Sequence, residues 1–552
     1  MNVPEPVDPR RVRADEYRRR GWWRDETFLD DLRRQARHRP HHLAIAGRRV
    51  AEARTDTLDY AELLQLTERF ARALAGLGVR RGDFVAVQLP NRWEMVPLIF
   101  ACARVGAVIC PISPVCPEDE LRHRLALTEA RVCVTIPGWA GSPLASTVTA
   151  LSGELATLEH VFVVGGPVPE GARDFHDHFV DPDPDPDRVV RTEAVPEGSE
   201  LGPDEPFVVL FTSGTTGESK GVLHSQNTVH SAIRGYVDTF GLGPGLVAAV
   251  STPLCHYSGF AQGILAGVLL GGTVAFQDVR RNEALLDLVE RYGATLLYGP
   301  PATLADVTAS QRADPRDTST LRHAVIGSAP VLADLAADIR DTLGARAHSL
   351  WGMSENGPVT ITRPGQPEDW AAHSNGGPIE AMEVRIDPAG PDGTLDGVGR
   401  LRVRGASLAL GYHKRDDVYA AEFGADGWFD TGDLARADGD GGIRIVGRAR
   451  DAVVRDGTVA PMTELEAVIG GHLTVTEAAL VGLPGPGGDT LCAVVVPSGT
   501  GHPVLEELRA HVERAGLDRR FLPERLEVVS ALPKTLTGKV RKAELRARWT
   551  GA

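Results

Sequence analysis

The chain has 552 residues, of which 42% are hydrophobic and 24% charged, a composition typical of a folded protein with several folding units. Its formal net charge of −15 argues against the broad electropositive surface that nucleic acids require, so we expect no nucleic-acid partner. The six cysteines form no C-x-x-C pair, so neither a disulfide framework nor a zinc site is indicated, and reduced thiols in a cytoplasmic protein are favoured.

The first part of the chain alternates helix and strand patterns. Apolar residues recur at helical spacing over 59–77, and the apolar runs 84–89 and 108–112 predict strands on either side of a helix over 96–104. This alternation predicts parallel α/β structure. The stretch 166–206 contains repeated Asp-Pro pairs and few apolar residues, so we expect it to be a solvated excursion over the surface.

The alternation resumes at 207 and continues to about 386, after which short strands over 399–411 and 441–447 indicate β-rich structure. Residues 453–552 are enough for a small α+β domain. The uncharged run 259–276 has the length of a membrane span, but its five glycines and the absence of a basic flank on its N-terminal side favour a buried helix leading into a strand. We therefore expect no membrane span.

Lysine is rare, with five among the 59 basic residues. A coding bias towards arginine explains this equally well, but an ammonium is a compact point charge that a guanidinium cannot replace everywhere. Four of the five fall in two glycine-containing loops. The lysines are Lys220, Lys414, Lys534, Lys539 and Lys542.

The first of these loops follows a buried-strand pattern at 207–211 and reads T-S-G-T-T-G-E-S-K-G over 212–221. Hydroxyls, exposed backbone N–H groups and one ammonium suit a polyphosphate. The order S-K-G differs from the G-K-[S/T] of a Walker A loop. A flexible polar hairpin would explain the glycines but not the hydroxyls and the rare lysine. The candidate phosphate contacts are Thr212, Ser213, Gly214, Thr215, Thr216, Gly217 and Lys220.

The sequence F-T-S-G-T-T-G-E-S-K-G-V resembles the phosphate-loop signature of the adenylate-forming superfamily, which includes acyl- and aryl-CoA ligases, peptide-synthetase adenylation domains and luciferases. Five further motifs agree in order and spacing, so the resemblance covers about 60–542. They are G-S-A-P at 327–330, W-G-M-S-E-N-G at 351–357, G-W-F-D-T-G-D at 427–433, G-R-A-R-D at 447–451 and P-K-T-L-T-G-K at 533–539.

The resemblance implies an α/β fold with a large N-terminal domain of layered sheets and helices, residues 1–449, and a small mobile α+β C-terminal domain, residues 450–552. The hinge falls at Arg450, so that the C-terminal domain delivers Lys539 to the nucleotide and then swings away. The acceptor step would use a second face of that domain.

Physical chemistry gives the motifs their roles. A carboxylate must attack the α-phosphate of ATP and expel pyrophosphate, so neutralisation of charge dominates catalysis. The resemblance implies that Lys539 lies between the acid oxygen and the α-phosphate, and that Glu355 and Thr212 hold Mg²⁺. It also implies that Asp433 accepts hydrogen bonds from the ribose hydroxyls, assisted by Arg448. The implied nucleotide site further includes Ser328, Ala329, Pro330, Trp351, Gly352, Met353 and Ser354.

Simpler roles are the alternatives for three of these residues. Asp433 would then be a turn residue after Gly432, Glu355 would cap a helix, and Arg448 would form a surface ion pair.

The acid pocket is implied by two segments, P-L-C-H-Y-S-G at 253–259 and L-Y-G-P-P at 297–301. The first matches the Pro-x-x-His-x-x-Gly segment of the superfamily. His256 is either a gate or carboxylate contact, or a buried histidine bonded to a backbone carbonyl. The implied pocket residues are His256, Tyr257, Gly259, Tyr298 and Gly327.

The sequence departs from the medium-chain and alicyclic acid–CoA ligases, the branch that it resembles most, after the hinge. Their segment R-G-G-E-N-x-P is replaced by R-D-G-T-V-A-P at 455–461, so that Thr458 and Val459 stand where Glu and Asn are usual. The milder departures are Trp351 for the usual Tyr and Glu218-Ser219 where Pro is common. Because the loop is implied to face the acceptor, its change bears on the acceptor step and leaves adenylation untouched.

We therefore expect an ATP- and Mg²⁺-dependent acid–CoA ligase that activates a medium-chain, alicyclic or aromatic acid. The alternative is an adenylating enzyme of specialised metabolism with another acceptor, such as a diazotase that activates nitrite for attack by an aromatic amine. A non-catalytic nucleotide-binding protein is disfavoured by Lys539, Glu355 and Asp433. The acid, the acceptor and the oligomeric state stay open, with a homodimer as one alternative.

Overall fold

The computed structural model describes residues 9–181, 194–212, 219–388, 397–485, 489–499, 501–534 and 540–550. Its strands are β1 (Leu43–Arg49), β2 (Arg54–Asp59), β3 (Phe84–Gln88), β4 (Val108–Ile112), β5 (Val132–Thr135), β6 (His160–Val163), β7 (Arg173–Asp174), β8 (Pro206–Thr212), β9 (Lys220–Ser225), β10 (Val247–Val250), β11 (Thr273–Gln277), β12 (Leu296–Gly299), β13 (His323–Ile326), β14 (Arg346–Met353), β15 (Gly357–Ile361), β16 (Gly377–Pro378), β17 (Met382–Pro388), β18 (Gly399–Gly405), β19 (Gly411–Tyr412), β20 (Phe429–Ala437), β21 (Ile443–Arg448), β22 (Val454–Arg455), β23 (Thr458–Val459), β24 (Val475–Leu483), β25 (Thr490–Pro497) and β26 (Arg525–Val528).

The α-helices are α1 (Pro9–Arg19), α2 (Phe28–His38), α3 (Tyr60–Gly76), α4 (Met95–Val105), α5 (Glu118–Thr128), α6 (Leu144–Glu154), α7 (Gln226–Phe240), α8 (Ala266–Leu270), α9 (Asn282–Tyr292), α10 (Pro301–Ala313), α11 (Ala333–Leu343), α12 (Trp370–His373), α13 (Asp416–Ala420), α14 (Met462–Gly470), α15 (Leu505–Arg514) and α16 (Lys542–Thr550). Among the described residues, two segments are π-helical, His176–Val180 and Ser258–Leu265, and two are 3₁₀-helical, Ala449–Asp451 and Arg519–Phe521.

Two large sheets form the bigger body. One has nine strands in the order β16-β15-β14-β13-β12-β10-β11-β1-β2, and the other has eight in the order β19-β9-β8-β4-β3-β5-β6-β7. Their central strands are parallel, as the sequence alternation predicts. Helix α3 begins where predicted because Asp59 caps it, accepting from the Glu62 backbone while the Glu62 carboxylate accepts from the Asp59 N–H.

The expectation of a solvated excursion over 166–206 is wrong in part. Strand β7 extends the second sheet, and the turn after it buries Phe175 and Phe179 completely. Both rings pack edge-on against Phe70, with centroids 5.4 Å apart in each case. The spacing of four residues puts the two rings on one face of a helical turn, a signal that the Asp-Pro repeats obscured. Residues 182–193, which hold most of those repeats, lie outside the described part.

The uncharged run 259–276 is confirmed as buried helix followed by a strand. The π-helical segment Ser258–Leu265 continues into α8, and β11 lies inside the nine-stranded sheet. None of the helices described here is long and apolar enough to cross a membrane.

The later part of the chain is β-rich, as expected. Strands β17, β18, β20 and β21 form an antiparallel sheet, and residues from 453 onward form a small α+β body around the sheet β24-β25-β26. This small body contacts the larger one, since Leu332 packs against its core and Arg444 pairs with Glu464 at 3.3 Å.

Candidate active site

The two ends of the predicted phosphate loop face each other across an antiparallel pair, because β8 ends at Thr212 and β9 begins at Lys220. Helix α5 holds the exit of the loop. The Ser219 hydroxyl donates to Glu120, and His123 Nε2 lies 3.2 Å from the Ser219 carbonyl oxygen. The loop therefore leaves and re-enters the sheet at one fixed place. The candidate contacts Ser213, Gly214, Thr215, Thr216 and Gly217 lie outside the described residues.

Beside Lys220, a buried carboxylate lies at the end of a short chain of contacts. The Lys220 ammonium lies 4.6 Å from the centre of the Tyr412 ring, and the Tyr412 hydroxyl donates to Glu355 Oε1 at 2.9 Å. Burial raises the pKa of Tyr412, and the neighbouring Glu355 carboxylate raises it further. Lys220 also pairs with Glu422 at 3.8 Å. Burial raises the pKa of Glu422, and the ammonium opposes that effect. Strand β19, which carries Tyr412, pairs with β9 and so fixes this arrangement.

The donor set here fits a magnesium ion that is shared with a nucleotide. Glu355 is 6% exposed and offers carboxylate oxygens, the ligands that Mg²⁺ prefers. Within the described ranges no group of three or more His, Cys, Asp or Glu residues has the arrangement of a metal site. Mg²⁺ in such sites takes one or two carboxylates and completes its shell with phosphates and water, which one buried glutamate beside a phosphate loop allows.

The carboxylate that is predicted to bind the ribose is held from two directions. Asp433 stands opposite Arg448 in the β20/β21 pair, and the Arg448 Nε lies 3.0 Å from Asp433 Oδ1. The indole N–H of Trp351 donates to Asp433 Oδ2 at 3.1 Å. Arg448 also donates to the Thr431 carbonyl oxygen at 2.9 Å. Since a carboxylate oxygen accepts more than one hydrogen bond, Asp433 is oriented and can still accept from sugar hydroxyls.

The segment between Trp351 and Glu355 is held in place by a buried histidine. The Ser354 carbonyl accepts from His224 Nε2 at 2.6 Å, and burial lowers the pKa of His224 to about 4, against that hydrogen bond. His224 is therefore neutral at pH 7. Met353 and Ser354 are half-buried, whereas Gly352 is exposed.

The adenine-side motif lies at the end of β13. Gly327 is buried, Ser328 and Ala329 are exposed, and Pro330 is half-buried. Ser328 adopts a φ of 76°, in the left-handed region that non-glycine residues rarely occupy. Such strain persists where the surrounding structure enforces it and is common at ligand sites.

The predicted acid-pocket residues lie on two neighbouring elements. His256 is half-buried and Tyr257 is buried just before the π-helical segment, while Tyr298 is the penultimate residue of β12. Gly259 is a glycine for a packing reason, because a Cβ there would overlap the Pro253 carbonyl oxygen. π-Helical turns are frequent at functional sites. That these residues contact the acid stays a prediction.

A family model described as "AMP-binding enzyme" matches residues 32–413, and a second, described as "AMP-binding enzyme C-terminal domain", matches residues 464–539. The chain belongs to the AMP-binding enzyme family. The resemblance drawn from the motifs is thereby confirmed, and the protein is an AMP-forming ligase with the mixed α/β fold and the large and small domains of that family.

Relatives differ in the names of their reactions. A feruloyl-CoA synthase of Amycolatopsis sp is 32% identical over 522 residues, covering 94% of this chain and 98% of the relative. The 2,3-dihydroxybenzoate-AMP ligase of Bacillus subtilis is 30% identical over 540 residues, covering 97% of this chain and 95% of the relative. Among solved structures, an amide bond synthetase from Marinactinospora thermotolerans is 26% identical, covers 95% of this chain and 99% of its own, and has a TM-score of 0.75. Enzymes of this family use ATP, and an ATP-bound structure is among the neighbours.

In this AMP-binding enzyme, the predicted hinge residue Arg450 lies in the 3₁₀ turn Ala449–Asp451. The adjoining Asp451 is buried and pairs with Arg546 of the last helix at 2.7 Å. A buried carboxylate next to the turn therefore links the hinge to the far end of the C-terminal body. The hinge role stays a prediction, and Lys539 lies outside the described residues.

The other rare lysines make ordinary ion pairs. Lys414 pairs with Glu129 at 3.0 Å, Lys542 with Glu466 at 2.6 Å, and Lys534 with Glu477. Rarity alone therefore does not mark a lysine as functional.

The loop expected to face the acceptor is a tight hairpin. Strands β22 and β23 pair, and the turn between them has φ of 49° at Asp456 and 71° at Gly457, as a two-residue I′ hairpin requires. Thr458 accepts a hydrogen bond from Arg520 at 3.1 Å. Val459 is 4% exposed and packs with Val398, Leu434 and Val446. In this arrangement Val459 is a packing residue and does not line an open path.

Sequence reasoning missed Tyr412 and Glu422, the two side chains that surround Lys220. Tyr412 lies in a strand of two residues and Glu422 in a turn after α13, so neither has a periodicity or motif of its own. Their positions depend on long-range pairing of β19 with β9, which local patterns do not contain.

Proposed function

We propose that this AMP-forming ligase activates a medium-chain, alicyclic or aromatic carboxylic acid with ATP and transfers the acyl group to coenzyme A. One observation carries the proposal. Trp351 contacts the ribose-side carboxylate Asp433, and Glu355, four residues later, contacts the Lys220–Tyr412 pair. Four residues span at most about 14 Å, so one segment would join the predicted ribose contact to the predicted phosphate contact over the length of a nucleotide.

In the first half-reaction a carboxylate oxygen forms a bond to the α-phosphorus, the bond to the bridging oxygen breaks, and pyrophosphate leaves with its electron pair. We assign to Lys539 the stabilisation of the negative charge that develops between the acid and the α-phosphate. Glu355 and Thr212 would hold Mg²⁺, which supplies charge neutralisation on the β- and γ-phosphates when bound. Asp433 and Arg448 fix the ribose, so that the α-phosphate is presented in one orientation.

In the second half-reaction the thiolate of coenzyme A attacks the acyl carbon, and AMP leaves with the oxygen that the acid supplied. We assign this step to a rotated position of residues 450–552 about Arg450. The Asp451–Arg546 ion pair would move with that body, because both partners lie beyond the hinge position.

A second candidate is an adenylating enzyme whose acceptor is not coenzyme A. The observation that favours it is the loop that contains Thr458 and Val459. The Thr458 hydroxyl accepts a hydrogen bond from Arg520, and the Val459 isopropyl group is buried. The Thr458 hydroxyl is thus partly engaged, and Val459 offers no polar group to the amides of a pantetheine arm. An amine is then favoured over coenzyme A as the acceptor. It would attack an acyl adenylate or, if nitrite is the substrate, a nitrosyl adenylate.

A screen of pyrophosphate release tests both candidates. Carboxylic acids and nitrite are each offered with ATP and Mg²⁺, alone, with coenzyme A and with aromatic amines, and products are identified by mass spectrometry. The first candidate predicts a thioester, and the second an amide or a diazotised amine. If neither nitrite nor any of the acids causes release of pyrophosphate, both candidate functions are contradicted.

One variant separates the acceptors further. Thr458→Glu restores the usual polar residue without disturbing buried Val459, so it should raise thioester formation and leave pyrophosphate exchange unchanged if the loop limits coenzyme A use. The matched control is Thr463→Glu, outside the hairpin on α14. An unchanged thioester rate would remove the loop from acceptor choice.

A further inference from the structure

Four polar side chains meet in the interior on the acid side of the site. Tyr236 comes from α7, Ser258 and Gln262 from the π-helical segment, and Tyr298 from the end of β12; we call them the acid-side polar cluster. Burial raises the pKa of Tyr298 to about 12, and the neighbouring Gln262 and Ser258 side chains oppose that effect. The Tyr236 and Tyr298 hydroxyls are close enough to interact electrostatically.

Two atoms of this cluster lack the partners that buried polar atoms normally have. Tyr236 is 1% exposed and Gln262 is 5% exposed. In the part of the chain that the structure describes, neither the Tyr236 hydroxyl nor the Gln262 side-chain nitrogen has a hydrogen-bond partner. The Tyr236 ring packs edge-on against Phe240 at 5.3 Å, a contact that phenylalanine would make equally well. The hydroxyl therefore adds nothing to packing and costs stability unless a ligand bonds it.

A glycine beside the cluster leaves room for the Tyr298 hydroxyl. A Cβ on Gly327 would lie 3.0 Å from the Tyr298 hydroxyl and 3.6 Å from the Leu350 carbonyl oxygen, so any side chain would press on Tyr298. Gly327 begins the exposed adenine-side turn. The cluster is thus next to the elements assigned to the nucleotide, on the side predicted to receive the acid.

We propose that Tyr236 and Gln262 determine acid specificity by donating hydrogen bonds to an acceptor atom on the tail of the acid. This inference rests on the proposed function and narrows its substrate class. A phenol O–H and an amide N–H both donate, so the matching group is a ring hydroxyl, methoxy or carbonyl oxygen. A medium-chain aliphatic or unsubstituted acid would leave both donors unpaired, and sites with buried donors reject such analogues strongly.

The experiment measures kcat/KM for ATP–pyrophosphate exchange with matched acids: benzoate and cinnamate, their ring-hydroxylated and ring-methoxylated derivatives, and octanoate. We expect at least one oxygen-substituted acid to exceed its parent by about tenfold or more, the usual consequence of leaving a buried donor unpaired. In Tyr236→Phe that preference should fall by about tenfold, because the substituted acid loses a donor and the unsubstituted parent no longer leaves a buried hydroxyl unpaired. Gln262→Leu should act in the same direction.

Tyr292→Phe is the matched control, because its hydroxyl on α9 is another buried oxygen that finds no partner among the described residues. It should leave the preference unchanged. Thermal unfolding without substrate should show Tyr236→Phe to be as stable as the wild type or more stable, whereas a structural hydroxyl would give a loss. Equal use of substituted and parent acids, or a Tyr236→Phe variant that keeps the wild-type preference, overturns the inference and leaves the proposed function standing. If neither nitrite nor any of the acids supports exchange, the proposed function is overturned and this inference with it.

Discussion

The side of this enzyme predicted to bind the nucleotide and the side predicted to bind the acid, called below the nucleotide side and the acid side, differ in how their buried polar groups are satisfied. On the nucleotide side, Asp433 is bonded by Trp351 and Arg448, and Glu355 is bonded by Tyr412. On the acid side, the hydroxyls of Tyr236 and Tyr257 are buried and find no partner among the described residues. The protein therefore completes the first set of contacts by itself and leaves the second set incomplete.

We attribute the difference to what each side is proposed to bind. ATP is the same for every enzyme of this kind, so its contacts can be preorganised by the protein, which lowers the cost of charge rearrangement during reaction. The acid varies, and a pocket that keeps unpaired donors gains its specificity from the substrate that pairs them. Substitutions on the nucleotide side should thus affect all acids alike, and those on the acid side should affect acids unequally.

The largest expected effect is that of Lys539→Ala. Loss of a positioned charge at the α-phosphate should lower the adenylation rate by about 10²-fold or more for every acid. Lys539→Arg should lower the adenylation rate nearly as much, because a planar guanidinium does not fit the space that an ammonium occupies. Pyrophosphate exchange measures both variants, with Lys534→Ala as a control in the same segment. Unchanged exchange in either Lys539 variant would remove this residue from the mechanism.

Asp433→Ala should have the next largest effect. It removes the carboxylate that Arg448 and Trp351 orient and leaves the Arg448 charge without this partner, so kcat/KM for ATP should fall by about 10- to 100-fold. The ratio of rates between two acids should stay the same. A changed ratio would show that the nucleotide side also selects the acid, and the comparison would fail.

Glu355→Gln should lower turnover about tenfold and ATP affinity less, because the metal charge that it helps to hold matters most as pyrophosphate leaves. Steady-state kinetics at varied Mg²⁺ would separate the two quantities, and Tyr412→Phe should show the same pattern more weakly. Equal losses of ATP affinity and turnover would mean that Glu355 only positions the nucleotide.

Trp351→Phe should have the smallest effect. It keeps an aromatic face and removes one hydrogen bond to Asp433, which contributes about 1 kcal/mol, so KM for ATP should rise about fivefold with kcat nearly unchanged. Trp370→Phe, in a short helix away from the site, is the control. A large fall in kcat would indicate that the indole acts in the reaction itself.

Much of the fold follows from periodicity, since α3, α4, β3 and β4 begin and end within two residues of the predicted bounds. Glycine-rich loops and charged motifs predict the nucleotide side because phosphate chemistry restricts which residues suit it, and the contacts of these residues with a nucleotide stay a prediction. Tyr236 was missed for the opposite reason. On α7 a tyrosine occupies the same buried positions as a phenylalanine, and only the packing of three distant elements reveals that its hydroxyl lacks a partner.

The fate of the carboxylate oxygen tests the central claim most directly. The acid that gives the fastest exchange is prepared with oxygen-18 in its carboxylate, turned over with ATP, Mg²⁺ and the acceptor, and the AMP and pyrophosphate are analysed by mass spectrometry. Because the acid oxygen bonds to the α-phosphorus and stays there when the acceptor takes the acyl group, AMP should carry one labelled oxygen and pyrophosphate none. Unlabelled AMP, or ADP and phosphate as products, would contradict adenylation of the acid.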